Sequence, residues 1–154
     1  MKIQEEYERI RKDYNFPNFK ELDAEFEIIS VDIEKVNSLT RVILRLMCNR
    51  MGIFLNYLEP VITPTPQGLH AFIEVDNTTN EEKREIFEFY KKLSQKYHRA
   101  YSIELTEPEA KVAEEINSLW KEWKGLKSRF RELCTIINKA WELEKETQRE
   151  ETTG

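Results

Sequence analysis

One stretch of this sequence brings large aromatic and cationic side chains together, the residue types that bind nucleic acids or acidic protein surfaces. In NSLWKEWKGLKSRFREL, two tryptophans stand three residues apart among lysines and arginines. At about 100° per residue of a helix, Trp123 falls among apolar residues, whereas Trp120 falls at the edge of that face. Three cations continue the line of Trp120 along the helix, namely Lys124, Lys127 and Arg131. This stripe is a candidate partner or nucleic-acid site, because an indole can stack on a base while cations meet phosphates.

The same stripe also has a purely structural interpretation. Trp120 would then be half-buried at a helix boundary, with Lys124 or Lys127 lying along its ring. Two arginines on an earlier helix, Arg41 and Arg45, are further candidates for contacts with the same partner. Both interpretations stay open at the level of sequence.

Arg50 is a second candidate, because it lies on an otherwise apolar helical face, one turn before Phe54. A buried cation needs a partner, since leaving it unpaired costs about several kcal/mol. The functional alternative is an anion site inside the bundle. The structural alternatives are a buried ion pair with Glu25 or Glu104, or a side chain that reaches solvent at a helix crossing.

Residues that commonly hold metals or perform covalent chemistry are poorly placed. The two histidines, His70 and His98, belong to no Glu-x-x-His, His-x-x-x-His or Cys-x-x-Cys arrangement. Cys48 and Cys134 lie in apolar helical patterns without a histidine to activate them. The sequence also lacks a glycine-rich phosphate-binding loop. We therefore expect no metal, no cofactor and no catalytic set, and an enzyme is the less favoured class.

Composition favours one helical, cytoplasmic domain. The chain has 154 residues, of which 34% are charged and only four are glycine, and its net charge is −5. A globally acidic protein is a weak candidate for a dedicated DNA-binding protein, although residues 119–131 carry five Lys/Arg against one Glu. No uncharged apolar run approaches the roughly 20 residues that cross a bilayer, so no membrane partner is expected.

Periodicity and capping signals predict five helices. The first is short and ends before Phe16-Pro17, and the second begins at Asn18 and ends near Ile28. A central third helix begins at Asp32 and ends near Leu58. A long proline-containing loop then spans 59–79, and within it LHAFIEV reads as an extended segment laid on the bundle.

The last two helices are predicted as an antiparallel hairpin with almost no loop. The fourth begins at Asn80, and the fifth runs from Glu107 to about Arg149, with Thr106 as its N-cap and Pro108 in its first turn. The fifth helix overhangs the fourth, yet its end carries Ile137 and Trp141, which are too apolar to leave bare. Either the N-terminal helices or a second protomer should cover these candidate dimer contacts.

The predicted fold is thus an all-α bundle of two short N-terminal and three long helices, with the last (107–149) protruding. We expect a single domain over 1–149 and a frayed tail over 150–154. The leading functional hypothesis is a non-enzymatic interaction or scaffolding protein, with self-association through the C-terminal helix as one version. The alternatives are an RNA- or ribosome-associated protein that uses the basic stripe, and a small-molecule enzyme with an anion pocket at Arg50.

Overall fold

The protein is all-α, as predicted. The computed structural model describes the backbone of residues 2–63 and 69–153 and the side chains of residues 2–63 and 73–144. The structure is 88% helical, and its described part holds six α-helices and no strand. These helices are α1 (Lys2–Tyr14), α2 (Phe19–Phe26), α3 (Leu39–Ile62), α4 (Leu69–Asp76), α5 (Asn80–Thr106) and α6 (Glu109–Thr153), and two 3₁₀ turns at Ile28–Ser30 and Ile33–Lys35 precede α3.

Capping chemistry explains where the early helices begin. The side chain of Asn18 accepts a hydrogen bond of 2.9 Å from the backbone N–H of Glu21, which confirms the predicted N-cap of α2. Asp32 also acts as a cap, but its carboxylate accepts from Glu34 N at 3.2 Å and begins only a 3₁₀ turn. The predicted start of the third helix at Asp32 is therefore wrong, and α3 begins at Leu39.

The predicted loop at 59–79 is also wrong in most of its described length. Helix α3 continues through Pro60 to Ile62, and Leu69–Asp76 forms helix α4 instead of an extended segment. A short apolar run does not distinguish a strand from a helix by its period. With no partner strand in the described part of the chain, a helix satisfies the backbone hydrogen bonds of this segment internally. Pro64, Pro66 and Gly68, part of the same prediction, lie outside the described residues.

Helices α5 and α6 meet at a two-residue turn, Glu107-Pro108, which confirms the short connection. Thr106 does not cap α6 as predicted, because its hydroxyl donates a hydrogen bond of 2.8 Å to Ser102 O and so extends α5. The carbonyl of Pro108 instead accepts from Lys111 N and Val112 N at 2.9 and 3.1 Å. Helix α6 accordingly begins at Glu109, two residues later than predicted.

The contacts divide the chain into two compact units. The first unit holds residues 1–52 and 96–123, and the second holds residues 53–95 and 124–154. The expectation of a single domain over 1–149 with a frayed tail over 150–154 stays a prediction.

In the first unit, Glu109 at the start of α6 joins the N-terminal segments to that helix. Its carboxylate accepts hydrogen bonds of 3.0 Å from the hydroxyls of Tyr14 and Ser38. Asn117, two turns further along α6, donates to the carbonyl of Tyr14 at 2.9 Å. Burial acts to raise the pKa of Glu109, but the hydrogen bonds outweigh it, and the pKa lies below its ordinary value.

In the second unit, α4 is hydrogen-bonded to α6. The indole N–H of Trp141 donates to Glu74 Oε1 at 3.2 Å, and Asn77, just after α4, donates to Glu144 Oε2 at 3.1 Å. Arg129 of α6 also forms an ion pair of 3.6 Å with Glu85 of α5. The core of this unit is apolar and includes Phe54, Leu58, Ile86, Phe89, Leu93, Leu133, Ile137 and Ala140.

Candidate interaction surface

Two of the exposed apolar side chains of the second unit lie on one face of α3. Ile53 and Tyr57 of α3 are 58% and 41% exposed. They are four residues apart, so they lie on adjacent turns of one helix face. The ring of Tyr57 meets that of Phe130 of α6 edge-on, with the centroids 5.8 Å apart. We refer to Ile53, Tyr57 and Phe130 as the docking surface.

The aromatic rings hold the docking surface in a fixed geometry. Phe130 stacks face to face on the buried ring of Phe54, with centroids 3.9 Å apart and an interplanar angle of 6°. One face of Phe130 is therefore used inside the unit, and the ring of Tyr57 packs against Phe130 at an interplanar angle of 71°. Burial raises the pKa of the Tyr57 hydroxyl, and nearby Cys134 and Glu74 raise it further. The Tyr57 hydroxyl is consequently a neutral group at physiological pH.

Sequence reasoning missed this surface. It placed Phe54 correctly on the apolar face of its helix, but it assigned neither Ile53 nor Tyr57 to a face. On a helical wheel both residues lie about 80 to 120° from the centre of the buried face of α3. Two large apolar residues outside the core sector and one turn apart were the available signal.

The cations of the predicted stripe lie beside Phe130. Lys124 and Arg131 are exposed and form no ion pair with a side chain that the structure describes, and Lys127 between them is half-buried. By helical geometry, Lys127 and Arg131 lie about 60° and 100° around α6 from Phe130. Lys124 lies about 120° around α6 from Phe130 and six residues before it, so Lys127 and Arg131 are the members of the stripe closest to Phe130 on the helix.

Trp120, the remaining member of the stripe, belongs to the first unit and is half-buried. Its ring meets that of Phe26 at 65°, with centroids 6.4 Å apart. Trp123 is 3% exposed, which confirms its core assignment, and its indole N–H donates to Glu25 Oε2 at 2.9 Å. Trp120 is therefore half-buried, as the structural interpretation expected, and its ring packs on Phe26 of α2.

Arg41 and Arg45, the other cations proposed to meet a partner, are engaged inside the first unit. The guanidinium of Arg41 donates to the backbone carbonyls of Glu104, at 2.5 Å, and of Glu107. It thereby satisfies carbonyl groups at the C-terminal end of α5, which lack partners within the helix. Arg45 forms an ion pair of 2.7 Å with Glu104, whose side chain is only 3% exposed. Both arginines thus fix the end of α5.

Arg50 is half-buried and forms no ion pair with any side chain in the described part of the chain. The two carboxylates proposed as its partners accept hydrogen bonds elsewhere: Glu104 from Arg45, and Glu25 from Trp123. Of the three alternatives, this arrangement resembles the side chain that reaches solvent.

Ile137 and Trp141, the candidate dimer contacts, are covered within the second unit. Ile137 is 1% exposed, and Trp141 is half-buried and bonded to Glu74 of α4. The sequence had offered the N-terminal helices or a second protomer as the cover of this face. Helix α4 was missed in that role because its segment had been interpreted as a loop.

The cysteines are unsuited to nucleophilic chemistry. Burial raises the pKa of Cys48 to about 12, with further contributions from Glu104 and Glu115, and burial also raises the pKa of Cys134. A thiol with so high a pKa carries almost no thiolate at neutral pH.

In the polar clusters elsewhere in the described part of the chain, most charged side chains pair with one another. Among the described residues, no group of three or more His, Cys, Asp and Glu side chains could hold a metal ion. A cleft of about 410 Å³ in the first unit is lined by both cations and acids, including Arg99, Lys111 and Glu115. Arg99 forms an ion pair of 3.4 Å with the buried Glu115, and Lys111 forms one of 3.6 Å with Glu114. Both cations of the cleft are therefore paired, and Glu107 is the lining acid that has no ion pair among the described side chains.

Comparison with known proteins adds no family to this geometry. No protein family, curated protein or solved structure matches the chain. In the part of the chain that the structure describes, no helix combines the length and the apolar character that crossing a membrane requires.

Proposed function

We propose that this chain is a non-enzymatic protein-interaction domain that binds a helix of a partner protein on the docking surface. The observation that carries the proposal is the exposure of Ile53 and Tyr57, 58% and 41%, on adjacent turns beside Phe130. Single exposed apolar residues are ordinary, but neighbours that form one patch are typical of binding surfaces. Aromatic side chains are enriched in such surfaces as well.

RNA or ribosome binding, the alternative from the sequence, has weaker support. Lys124 and Arg131 are free to meet phosphates, but Trp120 already contacts Phe26, and Arg41 and Arg45 bond to α5. The exposed Ile53 offers a base no stacking partner. A protein partner uses every member of the surface, and it fits the cytoplasmic location expected from the sequence.

Self-association through the C-terminal helix and an anion pocket at Arg50 gain no support from the contacts. Ile137 is only 1% exposed, and Trp141 is half-buried and bonded to Glu74 of α4, so neither side chain offers a second protomer a fully exposed contact. An anion pocket inside the bundle requires a buried Arg50, whereas this side chain is half-exposed. We therefore consider both functions less well supported than the binding of a different protein.

The experiment compares two exposed isoleucines. Tagged wild-type protein, Ile53→Asp and the control Ile29→Asp are purified from the native cell with and without nuclease, because Ile29 is similarly exposed, at 45%, but lies in the first unit. A candidate partner is then prepared alone and titrated by calorimetry. We expect Ile53→Asp to weaken its binding at least tenfold, or by about 1.4 kcal/mol, and Ile29→Asp to leave the affinity unchanged.

Two results would overturn the proposal. One is a partner that is lost on nuclease treatment, which indicates nucleic acid. The other is a purified partner that binds wild type and Ile53→Asp equally well. Circular dichroism of each variant ensures that a loss of binding is not a loss of folding.

A further inference from the structure

The charges around the docking surface indicate what its partner carries. Arg129 of α6 is neutralised by two acids, Glu85 at 3.6 Å and Glu132 at 2.7 Å. Lys124 and Arg131 on the same helix are exposed and have no acidic partner among the described side chains. Arg129, next to Phe130 in sequence, is thus paired, whereas Arg131, about 100° around the helix from Phe130, has no ion pair among the described side chains.

The acids near the surface do not cancel these cations at the solvent side. Glu59, two residues after Tyr57, acts on Tyr90 of α5, where burial and the charge of Glu59 raise the pKa of the hydroxyl. Glu74 lies near Tyr57 but is 6% exposed, and it accepts the hydrogen bond of Trp141. Among the described side chains of α6 near the surface, the charges without an ion pair are therefore positive.

We propose that the docking surface accepts an acidic amphipathic helix, whose apolar side chains cover Ile53 and Tyr57 and whose Glu or Asp residues face Lys124 and Arg131. This inference rests on the proposed function and adds the chemistry of the partner. The apolar contacts supply affinity, as in other groove-bound helices that are read at i, i+4 and i+7. The charge pairs supply orientation and selectivity against basic helices, since like charges at an interface are unfavourable.

The test uses defined peptides, so that it needs no identified partner. Four fluorescein-labelled, helix-stapled peptides of 18 residues are compared. Two carry Leu at i, i+4, i+7 and i+11, one with Glu and the other with Lys on one flank of the helix. The other two carry Ser at the four Leu positions, again with either Glu or Lys on the flank. A single-stranded RNA of similar charge is a fifth probe. Fluorescence anisotropy at low and high salt measures each Kd.

We expect the Leu/Glu peptide to bind at least tenfold more tightly than the Leu/Lys peptide at low salt, with a smaller difference at high salt. The double variant Lys124→Glu/Arg131→Glu should reverse this preference. The control Lys92→Glu/Lys139→Glu removes two exposed cations of the same unit away from the surface and should leave the preference unchanged.

The remaining outcomes separate the two proposals. If both Leu peptides bind equally and Tyr57→Ala abolishes both, the surface is real and the inferred charge is wrong. If no Leu peptide binds and only the RNA does, both proposals are wrong. If no probe binds and light scattering shows a dimer that Tyr57→Ala dissociates, the occupant is a second copy of this chain and the acidic partner is excluded. If no probe binds and the chain is monomeric, the acidic-helix proposal is also rejected.

Discussion

Trp141 donates its indole N–H to Glu74 Oε1 at 3.2 Å, and the other oxygen of this buried carboxylate, Oε2, has no hydrogen-bond partner among the described residues. The single indole bond thus supplies the only described side-chain hydrogen bond to an acid that is 6% exposed. Because a buried polar atom without a partner costs about 1 to 3 kcal/mol, the pair is a sensitive point of the second unit.

Trp141→Phe should lower the free energy of unfolding by about 1 to 3 kcal/mol, since it leaves both oxygens of Glu74 unsatisfied. The loss should be smaller when Glu74→Gln is already present, because the amide is neutral. Urea denaturation of the two single variants and the double variant measures this coupling. Equal losses in both backgrounds would show that the indole acts only through its packing.

Arg45→Met should destabilise the first unit by about 1 to 3 kcal/mol, because it removes the cation from the buried Glu104. Glu104 is 3% exposed and its Oε2 already lacks a hydrogen-bond partner, so no described side chain can replace Arg45. Thermal unfolding should show most of the loss recovered in Arg45→Met/Glu104→Gln. An Arg45→Met variant as stable as wild type would indicate that solvent reaches Glu104.

Ser38→Ala should lower stability by about 1 kcal/mol at neutral pH, because it removes one hydrogen bond from Glu109. The folded pKa of this carboxyl lies below its ordinary value of 4.5, so its contribution is present above that pH and is lost as the pH falls through the folded pKa. The difference in urea midpoint between wild type and variant should therefore be larger at neutral pH than at about pH 3, where the lost helix-capping bond from Arg41 N to Ser38 Oγ, 3.3 Å long, still contributes.

The control for that prediction is Ser118→Ala, which changes an exposed serine of α6 in the same unit. It should match wild type at both pH values. If Ser38→Ala retained its full deficit in acid, the hydrogen bond to the ionised carboxylate would not be the source of the difference.

Cys134 should react with a thiol reagent well before Cys48. The pKa of Cys48 is about 12 and its side chain is buried, so roughly one molecule in 10,000 carries its thiolate at pH 8. Cys134 also has a raised pKa, but it is only half-buried. A time course with Ellman's reagent should show one faster thiol that disappears in Cys134→Ser, and both thiols should react alike in denaturant. A fast phase that survives in Cys134→Ser would contradict the buried position of Cys48.

Periodicity predicted the elements whose burial follows from spacing alone. The cap at Asn18, the core position of Trp123 and the short α5–α6 turn all depend on residues close together in sequence, and the structure confirms them. Helix α4 was missed because LHAFIEVD is too short for its period to decide, and its cover on α6 is a tertiary contact.

For the candidate site, too, the sequence predicted what depends on local position and missed what depends on distant contacts. Position on a helix correctly placed Lys124 and Arg131 toward solvent, but it could not show that Arg41 binds the end of α5, 63 residues away in sequence. Nor could it reveal that Tyr57 would meet Phe130, because exposure depends on what the neighbouring helices leave uncovered. Partners that are distant in sequence decide both outcomes.

The bond between Tyr14 and Glu109 has a consequence for synthesis of the chain. The two residues are 95 positions apart, and the ribosome adds about 5 to 20 residues per second, so α1 waits roughly 5 to 20 s for its partner. Ile3, Tyr7 and Ile10, all buried in the finished protein, emerge before the helix that completes their unit exists. During that interval these apolar side chains lack the rest of the unit that buries them.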